Sequence, residues 1–168
     1  MNPYCGIGVG LRKPHIEQIA AQGRGAVPFW EVAPENVMGQ GGRRHRLAME
    51  VLTRDPVLTH GITLSIGGLD PFDDEYLDAL ADFLETVRTP FHSEHLCWSS
   101  HSGANTHELL PLPFTRESVR HTVARVKELQ ARLPVPFILE NISYYAELGA
   151  AEMSERDFIA EVLEGADC

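Results

Sequence analysis

The sequence predicts an α/β fold built on a parallel sheet. Five short apolar segments, at 4–11, 28–33, 57–65, 91–98 and 137–142, alternate strictly with segments of helical period. Such alternation favours parallel strands joined by right-handed crossovers. In addition, Glu35, His60, His95 and Glu140 all fall at or near the C-terminal ends of these segments, the rim where parallel α/β sheets gather their chemistry. Two arrangements satisfy both observations: an open doubly wound sheet, or a piece of a closed barrel. In either, residues 1–168 are expected to form one domain.

Taken in order, Tyr4 to Leu11 reads as a buried strand with glycines where something packs closely on it. Lys13-Pro14 opens a helix to about Gly23, with Pro14 suited to a first helical position. Pro28 to Ala33 is the second strand, and the glycine-rich stretch 34–42 reads as a connecting loop, since no Lys-Ser/Thr follows its glycines as in a phosphate-binding loop. A helix from about Arg43 stops at Asp55-Pro56. The third strand, Val57 to Ser65, is apolar enough to be buried on both faces yet carries His60 in its middle. Asp73 to Arg88 is the clearest helix, its stripe being Tyr76, Leu77, Leu80, Phe83, Leu84 and Val87, with acids at its positive end. The fourth strand, Phe91 to Trp98, leads into a long loop to Pro113. Thr115 caps the next helix, Phe137 to Ile142 is the fifth strand, and Ser154 caps the last helix.

Composition excludes several classes. With 24 acids against 14 bases the formal charge is −10, which repels phosphate backbones and anionic lipid. The only basic cluster, Arg43-Arg44-His45-Arg46, is too small for a nucleic-acid footprint, so no nucleic-acid partner is expected. Cys5, Cys97 and Cys168 are odd in number, far apart and form no CxxC, which fits cytosolic thiols better than a disulfide framework. No apolar run approaches the roughly 18 residues that span a bilayer, and the expectation is a cytoplasmic protein without a membrane partner.

The densest chemistry lies in His92-Ser93-Glu94-His95. Side chains on a strand alternate faces, so His95 shares a face with Phe91, Ser93 and Cys97, while His92 and Glu94 look the other way, toward the helices. The two histidines therefore do not both ligate one ion from a regular strand. Glu140 ends an otherwise apolar strand, and such a carboxylate has to be paired or bound to something. Cys97 is either a further contact or inert packing, and Tyr144 and Tyr145 are placed at the mouth of the site.

Six strings then point to a family: Gly8-Val9-Gly10-Leu11-Arg12, Glu31-Val32-Ala33-Pro34-Glu35-Asn36, His60-Gly61-Ile62-Thr63-Leu64-Ser65, Ser93-Glu94-His95-Leu96-Cys97-Trp98-Ser99, Leu109-Leu110-Pro111-Leu112-Pro113-Phe114 and Leu139-Glu140-Asn141. Together they resemble the domain-of-unknown-function 692 family, the multinuclear non-heme iron-dependent oxidative enzymes (MNIO), typified by the enzyme of methanobactin biosynthesis. The resemblance implies a (β/α)8 barrel of the TIM type with two or three iron ions at its top. It implies dioxygen-dependent modification of cysteine or other residues in a ribosomal precursor peptide, presented by a partner protein. Carried over position by position, it makes His60, His95 and Glu140 metal ligands. It makes Glu35, Asn36, Glu94 and Asn141 motif residues near the site, Glu94 and Asn141 as catalytic residues and Glu35 and Asn36 as substrate-facing or supporting ones. Strand alternation adds His92, and its place after the fifth strand adds Tyr144, to the substrate-facing or supporting set.

The family's later motifs, an Asp-Val-Asn-Asn string and a His-Leu-x-Gly-His string, do not occur here. The expectation is thus an incomplete barrel of about five β/α units, whose open edges call for a second copy, another chain or further C-terminal sequence. One iron ion or none is expected to bind such a piece. Two alternatives stand beside the iron enzyme. One is a zinc or manganese barrel of the sugar-isomerase or endonuclease type, and the other is a non-catalytic fragment that binds a peptide or partner protein.

Overall fold

The computed structural model describes residues 4–146 and 148–168. Its main sheet has five parallel strands: β1 (Val9–Gly10), β2 (Trp30–Val32), β3 (Val57–His60), β4 (His92–His95) and β7 (Phe137–Glu140), in the spatial order β1-β2-β3-β4-β7. Between and after them run α1 (Ile16–Gln22), α2 (Gly42–Arg54), α3 (Asp74–Val87), α4 (Arg116–Arg132) and α5 (Glu155–Ala166). Each helix packs on the next along the chain, α1 on α2 through to α4 on α5. Strands that neighbour in chain order, with no point of reversal, remove the doubly wound alternative, which needs a reversal to place helices on both faces.

The register explains which face is covered. Trp30 pairs with Val57, Val32 with Thr59, Thr59 with His92, and His92 with Phe137, and all of these are buried toward the helices. The residues between them, Glu31, Leu58, His60, Ser93, His95, Ile138 and Glu140, look to the other face, where none is fully buried. The third strand is therefore covered on one side only, not on both as its apolar character suggested. Beneath the helices, Leu52, Leu80, Leu84, Val126 and Leu129 are wholly excluded from solvent. Burial of each such leucine is worth about 1.5–3 kcal/mol relative to leaving it exposed.

The strands are shorter than the apolar runs that announce them. The first narrows to Val9–Gly10, and the third and fifth end at His60 and Glu140, short of Ser65 and Ile142. The expected close packing on the first strand does occur: a Cβ on Gly8 would sit 2.0 Å from the ring of Phe29. Pro14 falls in a 3-10 turn, Lys13–His15, that precedes α1 instead of opening it. Capping follows the sequence: Asp73, Thr115 and Ser154 accept the amides of Tyr76, Ser118 and Asp157 at the starts of α3, α4 and α5. Each such cap is worth about 1 kcal/mol.

The largest departure is after β4. The expected fourth strand over 91–98 breaks at Leu96-Cys97, and the stretch expected as a loop is a hairpin of β5 (Trp98–His101) and β6 (Ala104–Leu110). Gly103, with φ +76, makes its tight turn. Polar, histidine-rich composition hid this hairpin, because β6 is solvent-exposed along most of its length. No helix among the described residues is long and apolar enough to cross a membrane.

Candidate metal centre

Three adjacent strands deliver one donor each to the open face at its C-terminal rim. His60 ends β3, His95 ends β4 and Glu140 ends β7, and the pairing of His60 with Ser93 and of His95 with Glu140 puts all three on one side. Their ligand atoms lie within 4.8 Å of one another. His60 Nε2 stands 3.2 Å from His95 Nε2 and 3.6 Å from Glu140 Oε2. The rings meet edge to face, with centroids 4.5 Å apart. The imidazoles are half-buried, whereas the Glu140 side chain is 58% exposed.

The donor set fits a divalent transition metal. Two imidazole nitrogens each about 2.0–2.1 Å from one ion, at tetrahedral to right angles, stand about 2.8–3.4 Å apart, which brackets the spacing here. Two imidazoles and a carboxylate with open positions suit zinc and non-heme iron alike. The far nitrogens are also tied down: His60 Nδ1 lies 2.8 Å from Ser93 Oγ, and His95 Nδ1 lies 3.1 Å from Glu94 Oε1. Such outer partners orient metal-binding imidazoles and set which nitrogen carries the proton. Hydrogen bonding to Glu94 raises the His95 pKa above its ordinary value, against burial, which lowers it.

Glu94 faces the helices, as alternation requires, and is 2% exposed. Its carboxylate nevertheless turns back around the strand end. Oε1 accepts from His95 N at 2.9 Å, and Oε2 accepts from the amides of Thr63 and Leu64 at 3.2 Å each. Glu35 grips the same loop from β2's side, accepting from Ile62 N at 3.1 Å, Thr63 Oγ1 at 2.9 Å and Tyr76 Oη at 2.8 Å. Two carboxylates thus clamp the turn that follows His60. Burial, then the charge of Glu35, pushes the Tyr76 phenol up, so it stays a donor. Gly61 is dictated by this crowding: a Cβ there would lie 2.6 Å from Glu94 Oε2 and 3.1 Å from His92 Nε2.

The remaining expected residues differ in their settings. His92 is fully buried, its Nδ1 is 3.1 Å from Thr59 Oγ1, and its Nε2 has no hydrogen-bond partner among the described residues. Burial lowers its pKa, favouring the neutral ring. Asn36 is exposed in a 3-10 turn. Asn141 is exposed and donates to Glu155 Oε1 at 3.1 Å, tying the end of β7 to α5. Tyr144 is half-buried with its ring against Phe114, and Tyr145 is fully exposed. Cys97 is buried beyond the end of β4, and burial pushes its thiol up to about 12.

Sequence reasoning missed the part played by Ser93 and Tyr76. Ser93's signal was its place on the face of His95. Tyr76 was hidden in an apolar helical stripe, where only its hydroxyl marked it as different. A cleft of about 570 Å³ opens on the same rim, between the turn at Gly67-Gly68, the β5 strand and the start of α4, with Leu69, Trp98 and Leu112 among its walls. None of the three donors lines it.

Comparison with known proteins agrees with the motif strings. Residues 6–168 match the model of a family described as RiPP precursor modification enzyme MbnB/TglH/ChrH. Among curated relatives, a UPF0276 protein of Shewanella loihica is 41% identical over 162 residues, covering 96% of this chain and 58% of that protein. One from Anaeromyxobacter sp. is 42% identical over 164 residues, covering 97% and 57%. Another, from Pseudomonas aeruginosa strain UCBPP-PA14, is 44% identical over 163 residues, covering 97% and 57%. The chain therefore spans less than two thirds of the length of these relatives.

Proposed function

From the premise that the chain belongs to the RiPP precursor modification enzyme family MbnB/TglH/ChrH, we propose that it carries the metal grip of an iron-dependent oxidative enzyme acting on a ribosomal precursor peptide. The observation that carries this reading is the convergence of His60, His95 and Glu140 within 4.8 Å on the open face of the sheet. Iron held there supplies dioxygen-dependent oxidation, the chemistry by which cysteine or other residues of the peptide would be changed. The chain's own residues do the holding. His60 and His95 supply imidazole nitrogens and Glu140 an exposed carboxylate. Glu94 fixes His95 and, with Glu35, the turn after His60.

The strictly sequential strand order supports a (β/α)8 barrel of which residues 1–168 are five units. The face that carries the donors would then become the barrel interior. The longer relatives accommodate the three further units, and a second copy or another chain are the other sources. Of the expected iron ions, two or three in a complete site, one is the number these three donors suit. The rim cleft of about 570 Å³ falls within the range of about 300–1,000 Å³ that holds small organic groups, and a peptide-presenting partner would lie on the same rim. Asn141 stands with Glu94 as a catalytic candidate, Glu35, Asn36 and Tyr144 are substrate-facing or supporting candidates, His92 supports the site from behind, and a cytoplasmic setting suits the three cysteines.

The test is elemental analysis of the purified chain with Fe²⁺ reconstituted under anaerobic conditions, followed by oxygen uptake with the peptide encoded beside its gene. Iron near one per chain, lost in His60→Ala and His95→Ala, is expected. Zinc or manganese in its place, with no oxygen uptake, supports the hydrolytic or isomerase alternative, for which the same donors serve. No stoichiometric metal of any kind sinks the metal reading and leaves a non-catalytic peptide- or partner-binding role.

A further inference from the structure

The two imidazoles of the cluster are not equivalent. His95 Nδ1 faces a carboxylate oxygen, Glu94 Oε1 at 3.1 Å, which also accepts the His95 amide. A carboxylate only accepts, so in the neutral His95 ring the proton is held on Nδ1 and Nε2 offers a lone pair. His60 Nδ1 faces a hydroxyl instead, Ser93 Oγ at 2.8 Å, which can either donate or accept. Ser93 Oγ has a second outlet for its hydrogen, Thr59 O at 3.3 Å.

Without a cation, His60 Nε2 and His95 Nε2 at 3.2 Å would repel if both were bare. His60 then carries its proton on Nε2 and donates it to His95, and Ser93 donates to His60 Nδ1. With a cation between the rings, both Nε2 atoms have to be bare. His60 then needs its proton on Nδ1, and Ser93 has to accept it.

Resting on the metal reading above, we propose that Ser93 is a positioning residue whose hydroxyl lets His60 exchange tautomers as the cation arrives, while Glu94 keeps His95 preset. In that exchange the Nε2–H bond of His60 breaks, its proton passing to water, and an Nδ1–H bond forms with a proton from water. The Ser93 hydrogen swings from Nδ1 to Thr59 O. The net charge of the ring is the same before and after. Alanine at position 93 takes the Nδ1 partner from both states: the first loses the donor to its bare Nδ1, and the second is left with an Nδ1–H that has no acceptor in place to fix the metal-binding tautomer.

The experiment uses the 168-residue chain with Zn²⁺ as a diamagnetic probe. Long-range ¹H–¹⁵N correlation spectra should show His60 as the Nε2–H tautomer without metal and as Nδ1–H with saturating Zn²⁺, with His95 as Nδ1–H in both the free and bound rings. By calorimetry, Ser93→Ala should weaken Zn²⁺ binding about 10–100-fold, the usual cost of losing an outer partner, and Ser93→Thr should restore most of it. His60 found as Nδ1–H in the metal-free chain, or Ser93→Ala binding as tightly as the unmodified chain, overturns the proposal while leaving the metal centre standing. An unmodified chain that takes up no Zn²⁺ overturns the metal reading itself.

Discussion

Two carboxylates approach the same imidazole cluster, and their removal should have opposite signatures. Glu94 is 2% exposed and receives four donors: His95 N, His95 Nδ1, and the amides of Thr63 and Leu64. Glu94→Ala leaves at least the two amides of His95 and Leu64 without a partner in a buried setting, at about 1–3 kcal/mol each. The expected loss is therefore about 2–6 kcal/mol, against the 5–15 kcal/mol typical of a whole domain. Glu94→Gln should lose roughly half as much, because one end of the amide still accepts while its NH₂ faces donors at the other. Glu140 is 58% exposed at the side chain, so Glu140→Ala should change metal-free stability by less than about 0.5 kcal/mol while removing the carboxylate of the proposed metal grip. Urea denaturation of the metal-free proteins at 25 °C measures the first difference and Zn²⁺ titration the second. A Glu94→Ala chain as stable as the parent would refute the claim that this carboxylate organises the turn after His60. A Glu140→Ala chain that unfolds as readily as Glu94→Ala would refute the division of labour between them.

Further outcomes follow from single contacts. Gly61→Ala should both destabilise the fold and weaken metal uptake, since its Cβ would lie 2.6 Å from Glu94 Oε2; parent-like values in thermal and Zn²⁺ titrations would argue against that crowding. Cys5 is exposed while Cys97 is buried with its thiol pushed up to about 12, so an aromatic disulfide reagent at pH 8 should label Cys5 fast and Cys97 only on unfolding. Burial raises the Asp55 pKa, but hydrogen bonds from Arg54 and Trp30 outweigh it and the net shift is downward. The stability it contributes is thus present above the ordinary carboxyl range and lost as pH falls through the lowered folded value; Asp55→Asn should flatten that acid limb in pH-dependent denaturation, and an unchanged limb would count against it.

Much of the scaffold was legible because period and capping act locally. The stripe from Leu77 to Val87 and the caps at Asp73, Thr115 and Ser154 need no distant partner to form. His60, His95 and Glu140 were legible as a set because period-2 alternation and strand ends fix side and height. The β5–β6 hairpin was not, since its residues are polar and exposed and no apolar face announced it. The turn of the Glu94 carboxylate back to His95 was equally hidden. Alternation assigns the Cβ to a face, and two further torsions carry the carboxylate around the strand end to amides that only the folded turn brings near.

A sheet whose strands neighbour in the order they are translated grows at one edge as the nascent polypeptide leaves the ribosome. Each new strand of the main sheet docks on the sheet strand made before it, with the β5–β6 hairpin set aside, so no early strand waits for a late one. Since the three donors sit on three successive strands of that series, the clasp for the cation is whole as soon as Glu140 and its flanking residues are free to pair. On the proposed metal reading, an ion captured at that stage would pin three strands together while translation continues.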